Sequence, residues 1–160
     1  MPVSDLPAED LAAVRRYCGW HVCPVLTDDI VTLDGPGSAL LVLPTLRMSE
    51  LTKVVEDGVE LDVSTLAWST RGLVRKKSGA WWSCEYGAIE VTFTHGFTEV
   101  EAADWARTVQ QVADRNARIA SNDPIAVGPF RWAESSAAEG SAFTGAERAT
   151  LDLYRLERPA

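Results

Sequence analysis

At 160 residues the chain has room for one domain with a real core and little room for a second. Hydrophobic residues make up 46%, which argues against disorder, and 15 basic against 23 acidic residues give a formal charge of −8, which argues against a nucleic-acid-binding surface. No apolar run approaches the length that spans a bilayer, and the start MPVSDLPAEDL lacks a basic region followed by an apolar one, so a cytoplasm-like compartment and no membrane contact are expected. The three cysteines, an odd number, fit reduced thiols better than a disulfide framework. Six tryptophans are more than a core of this size absorbs easily, so some are expected at subunit contacts.

The first helix is expected over 7–18. Pro7 suits a first turn, Glu9 and Asp10 complement the positive end of the helix dipole, and Arg15 and Arg16 complement the negative end. Gly19 ends it. A β-rich stretch follows over 29–94, with Gly35-Pro36-Gly37 between two strand-like runs. Asp57-Gly58 signals a two-residue hairpin, and a second hairpin is expected between 66–75 and 80–82, with Lys76 to Gly79 as its tip.

Ile89, Val91 and Phe93 alternate with Glu90, Thr92 and Thr94, which is the pattern of a half-buried strand. That strand runs through His95-Gly96 into a long helix over 98–121. Thr98 and Glu101 have capping-box spacing there, and Ala102, Trp105, Ala106, Val109, Val112 and Ala113 follow a helical period. Asn122-Asp123-Pro124 stops it. An extended arm is expected over 125–143, and a C-terminal helix over 144–157 begins with a second capping box, Thr144 and Glu147.

Cys18, His21 and Cys23 are the one cluster with chemistry in it. They supply three zinc-type ligands, with Cys84 or His95 as a fourth, but their spacing matches no common zinc module, so core packing is the preferred reading over a small metal or thiol enzyme. His95 before a glycine reads as a turn residue rather than a general base, and no nucleophile stands in a recognisable setting. Asp28, Asp29 and Asp34 lack the ligand pattern of a calcium loop. Arg71, Arg75, Lys76 and Lys77 form one basic run, read as a solvated hairpin tip.

The runs CGWHVCPVLTDDIVTLDGPG (18–37), LVLPTLRMSELTKVVEDGVELD (41–62), AWWSCEYGAIEVTFTHGFTEVEAADWARTVQQVADRNARIA (80–120) and FTGAERATLDLYR (143–155), in this order, resemble the head-to-tail adaptor proteins of tailed bacteriophages, of the actinobacterial siphophage type. The resemblance implies an α+β fold. Its N-terminal, central and C-terminal helices would form a helical body, and hairpins would form a β-rich insertion in it. It implies a non-enzymatic virion protein without cofactors, which assembles with copies of itself into a dodecameric ring. That ring would dock on the portal protein and meet the head-to-tail stopper or tail components, and genomic DNA would pass through it without specific binding.

By the same resemblance Val127, Phe130 and Trp132 of the arm contact a neighbouring subunit, and Leu151, Tyr154 and Arg155 face the portal. Localisation would be the neck of the virion, after assembly in the host cytoplasm. Other neck rings, stopper or tail terminator, are the nearest alternative; they are more β-dominated, and the helices at both ends of this chain favour the adaptor. Part of the negative charge is expected to line the channel, where it would repel phosphate.

Overall fold

The computed structural model describes residues 3–121, 126–127, 130–131 and 143–156. A 3-10 turn (Val3–Asp5) leads into α1 (Ala8–Cys18). Gly19, at φ +82°, donates its N–H to the Arg15 carbonyl and closes the helix in a left-handed cap.

Seven strands then build two antiparallel sheets. The larger contains β1 (Leu26–Leu33), β3 (Met48–Glu56), β4 (Val59–Leu61) and β7 (Ile89–His95), in the order β1-β7-β3-β4. The smaller contains β2 (Leu40–Val42), β5 (Leu66–Trp68) and β6 (Leu73–Lys76), in the order β2-β6-β5. Asp57 and Gly58, at φ +50° and +79°, make the two-residue turn between β3 and β4, with Glu56 opposite Val59. Two positive φ values match a turn that follows the twist of its strands.

The second expected hairpin lies elsewhere. β5 pairs with β6 (Leu66 opposite Lys76, Trp68 opposite Val74), so the tip is the turn 69–72 and not Lys76 to Gly79. Residues 80–82 are not a strand.

α2 (Ala103–Ser121) follows a turn in which Thr98 and Glu101 exchange bonds: the Glu101 N–H donates to Thr98 Oγ1 at 3.2 Å, and the Thr98 N–H to Glu101 Oε2 at 3.0 Å. β8 (Ala126–Val127) and β9 (Phe130–Arg131) form a two-stranded ribbon. α3 (Gly145–Leu151) opens with the Thr144–Glu147 capping box and ends in a 3-10 turn, Asp152–Tyr154.

Two cores result. Between the sheets, Leu41 and Val74 of the smaller meet Leu51, Val54, Ile89, Val91 and Phe93 of the larger, with Trp82 closing one side. Beneath the helices, Val14 and Cys18 of α1 meet Trp105, Val109 and Val112 of α2 and Leu151 of α3. Each fully buried large side chain contributes about 1.5–3 kcal/mol of transfer free energy.

The expected helical body with a β-rich insertion is therefore overturned. Helices make up only about a third of the residues, and the sheets form a two-layer sandwich with a core of its own. The reason is local: the strands LLV, LAW and LVRK are three or four residues long, too short for alternation to reveal a second sheet.

Candidate assembly surfaces and the His95 junction

β7 ends at the joint between sandwich and helices. His95 is buried there, stacked on Phe93 with ring centroids 4.6 Å apart, and its Nε2 lies 3.1 Å from Asp29 Oδ2 on β1. Gly96 next to it has φ +106°, and a Cβ there would stand 2.8 Å from the Pro24 carbonyl oxygen. Its N–H donates to the Arg47 carbonyl, and the Phe97 N–H donates to the Val22 carbonyl, so the chain is clamped on both sides as it leaves the sheet. Trp20 sits beside His95 and Phe97 and donates its Nε1–H to the Tyr154 carbonyl at 2.7 Å. The Thr-His-Gly turn is thus a packed joint joining β1, β7, α2 and the C-terminal turn.

The cysteine cluster does not converge. Cys18 and Cys23 are both buried, and desolvation pushes each thiol up to about 11, which keeps them protonated at neutral pH. His21 lies within 2.6 Å of the Pro24 carbonyl oxygen, and burial lowers its pKa. Cys84 is exposed, beside Gly37 in the loops at the far end of the sandwich. Among the described residues no group of three or more His, Cys, Asp or Glu side chains is arranged to hold a metal ion.

The portal-facing candidates fall on both sides of the C-terminal turn. Leu151 and Tyr154 are buried in the helical core, where the Tyr154 hydroxyl donates to Asp104 Oδ1 and burial raises its pKa. Arg155 is exposed and lies over the Tyr17 ring, and Leu153 between them is 74% exposed. In the arm, Val127 of β8 pairs with Phe130 of β9. Trp132 lies outside the described residues.

The basic run is divided. Lys76 turns inward, with Nζ 2.6 Å from Glu56 Oε2 and 4.8 Å from the Trp82 ring centroid, while Arg71, Arg75 and Lys77 are exposed. Arg75 stands on the outer face of the smaller sheet among Leu40, Val42 and Leu73, all exposed. This apolar face was not legible in the sequence, because Leu40, Leu41 and Val42 are apolar on both sides of the strand.

No protein-family model matches the chain, and no curated protein does. Solved structures do. A chain in the neck of the native GTA (gene transfer agent) particle, computed with C12 symmetry, superposes with a TM-score of 0.59 at 14% identity, over 95% of this chain and 80% of that one. A chain in the neck of the empty GTA particle, computed with C6 symmetry, gives 0.56 at 17% identity, over 95% and 76%. The fold, sandwich and helices together, is therefore that of chains found in particle necks.

Proposed function

We propose that the chain is a structural subunit of a neck ring in a tailed phage or phage-like particle, joining the capsid portal to the tail and leaving a channel for the genome. The observation that carries this reading is the fold shared over 95% of the chain with chains from GTA necks of twelvefold and sixfold symmetry. The buried, protonated Cys18 and Cys23 agree with a mechanical rather than catalytic role. So do the many large apolar side chains left on the surface.

In the adaptor form of this reading, twelve copies sit against the portal and the stopper or tail components follow. Leu151 and Tyr154 anchor the C-terminal turn, and the exposed Leu153 and Arg155 meet the portal. The segment with Val127, Phe130 and Trp132 reaches a neighbouring subunit. The ring works in the virion neck after assembly in the host cytoplasm, and acidic side chains line its channel.

A second reading has one observation in its favour. The helices at both ends of the chain favoured the adaptor in sequence, but the sheets outweigh them in the fold, and that suits a stopper or terminator ring. Mass measurement of the purified protein mixed with its portal separates the two. A twelve-copy complex on the portal supports the adaptor, binding only to a preformed portal–adaptor assembly supports the stopper, and no binding to either rejects the neck reading.

A further inference from the structure

The two sheets pack inner face to inner face, so their outer faces look in opposite directions, and these differ in charge. On the smaller sheet, Arg75 stands opposite Leu40 on one side and Ala67 on the other, with Val42 and Leu73 paired beside it. Leu40, Val42 and Leu73 are 43%, 45% and 37% exposed. The strands LLV, LAW and LVRK contain no carboxylate, and Arg75 has no ion pair among the described residues.

On the larger sheet the outer rows are Ile30, Thr92 and Lys53, then Thr32, Glu90, Val55 and Glu60. Glu50 opposite Thr94, and Asp28, which accepts from the Thr52 hydroxyl, extend that surface. It holds four carboxylates (Asp28, Glu50, Glu60, Glu90) against one ammonium, Lys53, which pairs with Glu60 at 3.4 Å. Ile30, 62% exposed, is an apolar counterpart on the same face.

We propose that these faces are the two halves of one contact between successive copies of this chain: the Leu40–Val42–Leu73 strip with Arg75 on one copy packs on the Glu90-centred face of the next. Charge complementarity selects a second copy as the occupant, since every copy carries both halves. The patches are different and point in opposite directions, so the contact is heterologous and propagates into a ring when the rotation closes. Arg75, rising from apolar surroundings toward carboxylates, is the kind of side chain that dominates such contacts. This rests on the ring reading and deepens it by adding a sheet-to-sheet contact between neighbours beside that of the arm, and it requires no portal.

Sedimentation equilibrium of the full untagged chain in low salt, up to about 1 mM protein, reads the contact directly. The wild type associates, and more weakly as salt is raised. Arg75→Glu and Glu90→Arg each weaken association at least about tenfold, while an equimolar mixture of the two variants, or the double variant, restores it to within about threefold. Both positions are exposed, and matching circular dichroism melts confirm that the variants fold. A wild type that stays monomeric at about 1 mM overturns the contact, as does mixing without rescue. If the wild type associates and Arg75→Glu leaves its affinity unchanged, the contact falls while the ring reading stands, because portal binding tests that reading separately.

Discussion

The Nζ of Lys76 on β6 lies 2.6 Å from Oε2 of Glu56 on β3, and this pair bolts the two sheets together from inside. Glu56 Oε1 also accepts the Ser83 N–H, and Lys76 donates to the Trp81 carbonyl and lies over Trp82. Side-chain exposures of 17% and 12% leave little water to compensate a broken pair.

Removing one partner strands the other charge. Lys76→Met is expected to cost about 3 kcal/mol, and the joint Lys76→Met, Glu56→Leu change less than the sum of the two single changes. Urea denaturation of the three variants tests this; additive losses would mean that the pair is not coupled.

Gly96→Ala is expected to destabilise the joint by about 2–3 kcal/mol, because alanine must adopt φ +106° while its Cβ meets the Pro24 carbonyl. Gly79→Ala has a positive φ but open space around the Cβ, so it costs less. A pair of thermal melts ranks them, and equal losses would rule out the contact with Pro24.

Thiol chemistry has a defined order. Cys84 is exposed and reacts first with a thiol reagent at neutral pH, while Cys18 and Cys23, buried and protonated, react only on unfolding. Their pKa values are raised from the model-peptide value of 9.0 to about 11, so the folded state holds protons that the unfolded state releases. The stabilisation is complete below pH 9 and is lost as pH rises through about 11. Unfolding measured from pH 8 to 11 should show this loss, and Cys18→Ala with Cys23→Ala should flatten it.

Thr144→Ala removes the hydroxyl that accepts the Glu147 N–H and should cost about 1 kcal/mol. Hydrogen exchange should then rise in α3 and leave β7 protected. Uniform acceleration across the chain would mean that α3 does not open separately.

What the sequence made legible was short-range. The Thr144–Glu147 box, the Thr98–Glu101 box, the Gly19 cap and the Asp57-Gly58 turn each depend on residues within four positions, and each stands in the structure. What stayed hidden depends on distant pairing. β7 inserts between β1 and β3, and nothing in Ile89–His95 names Val31 or Val54 as its neighbours. Lys76 looked like one cation among four because Glu56, twenty residues earlier, is what turns it inward. The face around Arg75 was missed for the same reason: its outward direction follows from β6 lying between β2 and β5.

The helical unit is not contiguous along the chain. α1 comes first, α2 and α3 come last, and the whole sandwich, 26–95, is made between them. Leu156 donates its N–H to the Cys18 carbonyl, and Tyr17 donates to Asp152, so the earliest helix is sealed by the final turn. During synthesis the sandwich can close on the ribosome, while α1 waits with Val14 and Cys18 uncovered until α2 and then α3 emerge. A nascent chain cut off before 103 would thus present a finished sheet module and one sticky, unshielded helix, a substrate for chaperones rather than for assembly.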